Sequence, residues 1–454
     1  MANFVEGCSS DRLKEVLGRA GVKDIEDFYT DVPRKVILDR DLSIPPASEM
    51  DVESYIESAL ERNRVLGECL IFLGAGLPPH YLPAAVEAIV SRSEFYTAYT
   101  PYQPEMSQGM LQALFEYQSM ICDLTGMDVA NSSMYDWATA AAEAVRMAIR
   151  VKGNKKVLLG GNIGPERKKV IRTYLNPLEV EVQEVGYLHD IGSIDLSDLE
   201  EKVGGSCCLY LENPNFFGVL EREVSKAAEL VHSQGGLFIV GVDPISLALV
   251  KPPGEYGADI VVGEGQTLGG ALNFGGPSLG IFACRGEQPL VRQMPGRIIG
   301  MTTDLSGSQR GFTMVLQTRE QHIRREHATS NICSNEALMA IGALSYLALL
   351  GSDGLRKLGL EIYERSHYAG RRLSENPNLK APNFSGDFFQ EFTIMFEGFS
   401  LHRAFEKLVG RGIVPGLMLE RDFPQLENIL LSCFTEVHSV EDIDRLAEAI
   451  EEAR

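Results

Sequence analysis

Leu237-Phe-Ile-Val-Gly-Val242-Asp243-Pro244 is the stretch on which the fold turns. Six uncharged, largely β-branched or aromatic residues run straight into a carboxylate and a proline. A run this short, apolar on both alternating sides and stopped by proline, reads as a strand buried on both faces, as strands of a parallel sheet are. An acid at the carboxyl end of such a strand lies where open α/β sheets bind their ligands, which makes Asp243 a candidate site residue. Aspartates there also cap the turn that follows, so the position alone leaves both readings open.

Similar runs flank it on both sides. Val157–Leu159, Val180–Val185 and Cys207–Glu212 precede it, and Ile260–Val262 and Leu279–Ala283 follow. Helical stretches lie between several of them, notably Glu223–Ser233, and Met134–Val151 comes before the first. Strand–helix alternation implies right-handed crossovers and a doubly wound, mostly parallel sheet. Beyond about Ser330 the texture changes to an apolar helix, Glu336–Leu350, and an amphipathic one, Leu355–Leu373. Two strands, Glu391–Phe396 and Ile429–Cys433, then flank a helix at Leu401–Val409. The first sixty-odd residues are polar and helical in pieces, Arg12–Arg19 and a stretch opened by Asp51, with Pro45-Pro46 extended between them. The expected layout is an N-terminal helical arm over residues 1–65, a large α/β domain over 66–330 and a small α+β domain over 331–454.

Composition narrows the function. Sixty-three acidic against 42 basic residues leave a net charge of −21, which repels phosphate backbones and anionic lipid, so nucleic-acid and membrane-surface roles are excluded. No window reaches the roughly 18–20 apolar residues of a bilayer span, and the opening MANFVEGCSSDRLKEVLGRAG lacks a secretory pattern, so a cytoplasmic protein is expected. The eight cysteines (Cys8, Cys69, Cys122, Cys207, Cys208, Cys284, Cys333 and Cys433) form no C-x-x-C pair. They read as small buried hydrophobes in a reducing compartment, with no metal site.

Three further segments carry candidate chemistry. Gly263-Glu264-Gly265-Gln266-Thr267-Leu-Gly269-Gly270 has dinucleotide-like glycines at the wrong spacing and no good helix after them, so it reads as a tight loop over the end of a sheet. Phe95-Tyr-Thr-Ala-Tyr99-Thr100-Pro-Tyr102-Gln103-Pro-Glu105 packs tyrosines, prolines and amide and carboxyl groups into a short, stiff path. It is either a surface loop laying its aromatics on a neighbour or the polar wall of a small-molecule pocket. Thr318–Cys333 alternates charges in the manner of a solvated helix face, with Ser330-Asn331 as a cap or junction contact.

Together, the runs FYTAYTPYQPE, SMYDWATAAAEA, NPNFFGVLE, FIVGVDPISL, KPPGEYGADIVVGEGQ, NFGGPSLGIFACR and LQTREQHIRREHATSNIC resemble the glycine decarboxylase P-protein family, subunit 1 (alpha) of its two-chain form. The resemblance runs from the arm to at least Leu350 and more loosely to the end. It implies a fold-type I pyridoxal-phosphate architecture, the same layout reached from the strand pattern. It also implies an activity, decarboxylation of glycine within the glycine cleavage system. The aminomethyl group then passes to the lipoyl arm of H-protein, the cofactor serving as electron sink and lipoamide as co-substrate.

Such an enzyme needs a lysine to hold the cofactor aldehyde as a Schiff base. In fold-type I proteins it follows the aspartate-bearing strand, on the loop after the next one. If Asp243 is that aspartate, the lysine belongs near Glu264–Thr267, where Gln266 and its neighbours stand instead. No lysine occurs between Lys251 and Lys357. By the resemblance, the cofactor is therefore held by subunit 2 (beta), with two alpha and two beta chains making the assembly and H-protein docking on it. In this chain Asp136, Asp243 and Gln266 become vestigial cofactor positions, and no catalytic residue or metal is anchored. Trp137 stands where the family more usually has glycine, which crowds the turn that would seat a phosphate. The same analogy turns Tyr99, Thr100, Tyr102, Gln103 and Glu105 toward the partner's site as a pocket wall. A self-sufficient pyridoxal enzyme and a purely non-catalytic scaffold are the alternatives.

Overall fold

The computed structural model describes residues 10–38, 40, 42–64, 68–332 and 335–454, so Cys8 and Cys333 lie outside it. The described chain divides into two compact units, residues up to 64 and residues from 68 onward. In the first, helices Ser10–Ala20 and Glu49–Leu60 carry most of the order. The second of these starts before Asp51. Ser48 is its N-cap, and Ser48 and Asp51 exchange hydrogen bonds as a capping box.

The second unit is built on seven strands: β1 (Val129–Ala130), β2 (Lys156–Gly160), β3 (Glu181–Val185), β4 (Cys208–Glu212), β5 (Leu237–Val242), β6 (Ile260–Glu264) and β7 (Gly280–Cys284). Their spatial order is β1-β7-β6-β5-β4-β2-β3. Strands β2 to β6 pair in parallel, while β7 runs antiparallel to both β6 and β1. Alternation sends Leu209, Leu211, Phe238 and Val240 into the core on one face and Cys208, Tyr210, Leu237 and Ile239 into the core on the other. That double burial is why the parent sequence runs are continuous rather than alternating. The chain goes from β2 out to β3 and returns to β4, so the order reverses between β2 and β4. The carboxyl ends there form the crevice of an open α/β sheet.

The tight loop expected after β6 is present, and beyond β7 the chain forms an antiparallel hairpin, Ile298–Thr303 with Arg310–Val315. Its register was not evident from the sequence because Met301, Thr302 and Thr303 face solvent and break the apolar pattern. The solvated helix expected around Thr318–Cys333 is mostly absent. Only Gln321–Arg324 makes an α-turn, and Arg319 is buried, donating to the carbonyls of Met294, Leu316 and Gly296. An arginine can leave a charged face when several carbonyls satisfy its fork of donors. Ser330 serves the local turn, its hydroxyl accepting from the Ile332 N–H.

Helix Ala337–Ser374 joins the two helical stretches expected at 336–350 and 355–373, with Gly351 outside helical angles between them. Contrary to the sequence expectation, part of it is apolar and long enough to pass for a bilayer span, with a mean hydropathy of 1.5 over 18 residues. Of that part 39% is buried, including Ala340, Ile341, Ala343, Tyr346 and Leu347, which pack in the core beside the sheet. A four-stranded antiparallel sheet follows, ordered Leu379–Lys380, Glu391–Phe396, Ile429–Cys433, Leu417–Met418. Leu70–Ile71 pairs in parallel with Ile413–Val414, and Phe72 lies in this C-terminal core. The six described cysteines are free thiols, all buried except the half-buried Cys122.

One close approach locks the sheet to its flank. Gly126 ends helix Gln108–Thr125 in the left-handed conformation, and a Cβ on Gly254 would stand 1.9 Å from its carbonyl oxygen. Gly254→Ala should therefore destabilise the protein by about 1–3 kcal/mol or more in urea unfolding, as overpacking against backbone does. Gly204→Ala, with open space around it, should stay within about 1 kcal/mol of the parent.

Candidate functional site

At the carboxyl ends of β4, β5 and β6 stand three acids, Glu212, Asp243 and Glu264, and a fourth, Glu391, reaches over from the C-terminal sheet. Among the described residues Arg167, from helix Pro165–Leu175, is the one basic residue lining this cleft, and no lysine lines it. Each acid is held differently.

Glu212 is fully buried. It accepts from Arg167 Nε and Nη2 at 2.5 and 2.8 Å, from the Tyr210 hydroxyl at 2.9 Å and from the Gly164 N–H at 3.0 Å. Burial works against the Arg167 charge, but Glu212 beside it outweighs that and holds the guanidinium protonated above its ordinary range. The same guanidinium lies 4.0 Å over the Trp137 ring, a desolvated cation–π contact.

Glu264 does the work of an internal anion. Helix Trp137–Lys152 begins at Trp137, whose N–H donates to Glu264 Oε2 at 3.2 Å. Oε1 takes the Gln266 and Leu279 N–H groups, each at 3.0 Å, and the Ser278 hydroxyl at 2.6 Å. Exposed N–H groups at a helix start attract anions; here the chain's own carboxylate supplies one. Burial raises the Glu264 pKa, and those four donors oppose the rise.

Asp243 accepts the Ile245 N–H at 3.0 Å, capping the turn as one sequence reading had it, and also accepts Gln390 Nε2 at 2.6 Å. Burial lifts its pKa against the pull of His80. Glu391 accepts the Ala75 N–H. Burial pushes its carboxyl up to about 7; the Ala75 N–H and Arg167 oppose this, while Asp243 and Glu212 add to it. The cavity left among these side chains is small, about 30 Å³, enough for two or three waters.

The other sequence candidates fall elsewhere. Asp136 is the N-cap of helix Trp137–Lys152, accepting the Thr139 N–H at 2.7 Å, and does not line the cleft. Gln266 turns away from the Asp243 cleft into a second cavity. None of Tyr99, Thr100, Tyr102, Gln103 and Glu105 lines the chain's own cleft. Tyr99, Tyr102, Gln103 and Glu105 are exposed and Thr100 is half-buried. The tract is held from below by Arg297, itself only 4% exposed, which donates to Thr100 Oγ1 at 3.1 Å and to the Tyr102 hydroxyl at 3.0 Å. Sequence reasoning passed over Glu212, Arg167 and Arg297. Glu212 carried the same signal as Asp243, an acid ending an apolar strand; nothing local marked either arginine, since their partners lie 45 and 195 or more residues away.

Two outcomes test this wiring. Arg167→Met strands Glu212 as an unpaired buried charge and should cost about 3–5 kcal/mol in denaturant unfolding, with much of it restored in the Arg167→Met/Glu212→Met double variant. The Glu391 carboxyl is raised above its ordinary value of 4.5 to about 7. Its neutral form is therefore the one the fold prefers. The stability it contributes is complete below about pH 4.5 and is lost as pH rises through about 7. Glu391→Gln keeps the acceptor and cannot ionise, so its melting temperature should exceed the parent's at pH 8, by about 2 °C or more, and converge with it by pH 4.5.

The profile of the family described as glycine cleavage system P-protein matches residues 5–450. The probable glycine dehydrogenase (decarboxylating) subunit 1 of Staphylothermus marinus is 52% identical over 458 residues, covering 98% of this chain and 97% of the relative. That of Saccharolobus solfataricus is 48% identical over 448 residues, covering 98% and 96%. A crystal structure of glycine decarboxylase (P-protein) of the glycine cleavage system, in an inhibitor-bound form, superposes over the whole of both chains with a TM-score of 0.88 and 38% identity. Glutamate decarboxylase from Lactobacillus brevis, at a TM-score of 0.68 and 10% identity over 92% of this chain and 94% of that one, shares the fold alone. The architecture is the fold-type I one of pyridoxal-phosphate enzymes. With a profile spanning nearly its whole length and relatives matched end to end, the chain belongs to the glycine cleavage system P-protein family, among the subunit 1 chains of the decarboxylating glycine dehydrogenase.

Proposed function

We propose that this chain is the non-anchoring subunit of a two-chain glycine decarboxylase, helping to shape an active site whose pyridoxal phosphate is held by subunit 2. The observation that carries the reading is how its own cleft is filled. The residues present do not fit pyridoxal phosphate. The helix N-terminus that would receive a phosphate already holds Glu264, and the Trp137 ring and Arg167 occupy the space in front of it. Three acids, Asp243, Glu264 and Glu391, line the cleft beside one arginine already paired with Glu212, so a phosphate dianion would meet net repulsion. Among the described residues no lysine lines it to anchor an aldehyde, and the open volume holds only a few waters.

In this reading the chain contributes the outward-facing tract. Arg297 fixes Thr100 and Tyr102 from below, which lowers the entropy cost of presenting Tyr99, Gln103 and Glu105 to a partner surface. Their hydroxyl, amide and carboxyl groups would orient glycine or the partner's cofactor and exclude water. Exposed apolar side chains on this and neighbouring loops, Tyr99 at 77%, Met106 at 82% and Leu305 at 111%, suit burial in an obligate interface. The assembly would be two alpha and two beta chains in the cytoplasm, with lipoylated H-protein docking and its lipoamide as co-substrate. The layout of arm to 65, sheet domain to 330 and C-terminal domain to 454 belongs to the same reading.

The test is reconstitution with the partner subunit. A Tyr102→Phe/Gln103→Ala variant should assemble to the parent mass and lose about tenfold or more of its glycine–bicarbonate exchange, the size of a lost orienting interaction. Parent-like exchange in that variant, with only interface substitutions harmful, would leave the chain a scaffold. After separation, the absorbance of bound cofactor should follow subunit 2. Borohydride trapping of cofactor on a lysine of this chain would overturn the proposal.

A further inference from the structure

Gln266 opens onto a second cavity, separate from the Asp243 cleft. It lies between the loop Gly265–Leu279, helix Ala84–Val90 and the start of helix Ala337–Ser374. Its volume is about 210 Å³, and Leu82, Val86, Val90, Pro277 and Met339 make its walls apolar. For scale, an apolar cavity of about 150 Å³ holds a benzene molecule.

Of the polar side chains on those walls, Glu87 and Asn273 are exposed and the Ser278 hydroxyl is spent on Glu264, which leaves Gln266 as the buried one. Gln266 is only 6% exposed; its N–H is spent on Glu264 and its Nε2 on the Gly270 carbonyl, and its Oε1 is buried with no partner. A buried acceptor without a donor is destabilising, and so is apolar volume left unfilled. Water is a poor remedy, because a buried water wants two to four polar partners and these walls are apolar. A molecule with an apolar body and one N–H donor cures both defects at once. Among the described residues no basic one lines the cavity, and the acid Glu87 stands at its exposed side, so a carboxylate meets no cation there. At the rim, Asn273 and Phe274 are held at φ 45° and 52°, left-handed for non-glycine residues, and the Phe274 ring is 95% exposed. Such strain persists where a loop serves a site, and an aromatic beside an apolar mouth can cover what enters it.

We propose that this cavity is a binding site for a short aliphatic chain carrying an N–H donor, of the primary-amide type, with Gln266 Oε1 as the acceptor that selects it. The inference is independent of how the Tyr99–Glu105 tract is read.

Hexanamide and hexanoate are the probes, titrated calorimetrically into the full chain assembled with its partner subunit. Hexanamide should bind once per chain with a Kd of about a millimolar or tighter, and hexanoate about tenfold or more weakly. Gln266→Leu should remove the preference for the amide. Gly342→Leu fills the cavity from the helix, where a Cβ has ordinary room beside Val90 at 3.4 Å and Val86 at 3.8 Å. It should abolish binding while the melting temperature holds. Equal affinity for amide and carboxylate, unchanged binding in Gly342→Leu, or no binding to the assembled protein would each overturn the proposal. Binding to the separated chain alone would mean that a side chain of the partner fills the cavity, and overturns it equally.

Discussion

Everything at the centre of this molecule is arranged around one carboxylate, Glu264, seated on the N-terminal turn of helix Trp137–Lys152. A helix start carries unsatisfied N–H groups and the positive end of the peptide dipoles, and in an open α/β sheet it points at the crevice. Leaving that end bare inside the protein is costly. The chain closes it from the end of β6, and the same carboxylate gathers the N–H groups of Gln266 and Leu279 and the Ser278 hydroxyl. The loop between β6 and β7 is thereby tied down at both ends.

That tie has consequences on either side. Trp137 fills the space before the helix, and its ring becomes the platform for Arg167, whose charge is neutralised by Glu212 at the end of β4. The crevice at the carboxyl ends of β4 to β6 is thus filled by the chain's own side chains. Buried ion pairs of this kind contribute modestly to net stability, because desolvation offsets attraction, but once formed they tolerate no partial removal. Gln266, meanwhile, is directed away from Asp243 into the apolar cavity behind the loop, so two residues expected to share one site serve different spaces.

The outward tract follows a different logic. Arg297 is buried, yet its donors reach up to Thr100 and Tyr102, so stiffness at the surface is supplied by a charge beneath it. Exposed tyrosines and a methionine held in fixed positions make a surface suited to a companion chain with a complementary face.

The sequence by itself determined the succession of β2 to β7, the double burial of β2, β4, β5 and β6, helices between several of them and the absence of lysine over the loop after β6. These are local or inventory properties: hydrophobic periodicity, proline and glycine stops, and residue identity need no partner to be read. Asp243 at a strand end and the Tyr99–Glu105 tract were legible for the same reason. Tertiary structure alone decided that Glu264 meets the helix start, that Arg167 finds Glu212, that Arg297 braces the tract and that Gln266 faces another cavity. It also decided the hairpin Ile298–Val315, whose exposed residues carry no strand pattern, and the burial of Arg319 inside a charged run. Each joins groups distant in the chain, or turns on which neighbours satisfy a polar atom. Such pairings exist only once packing has removed water as the competing partner.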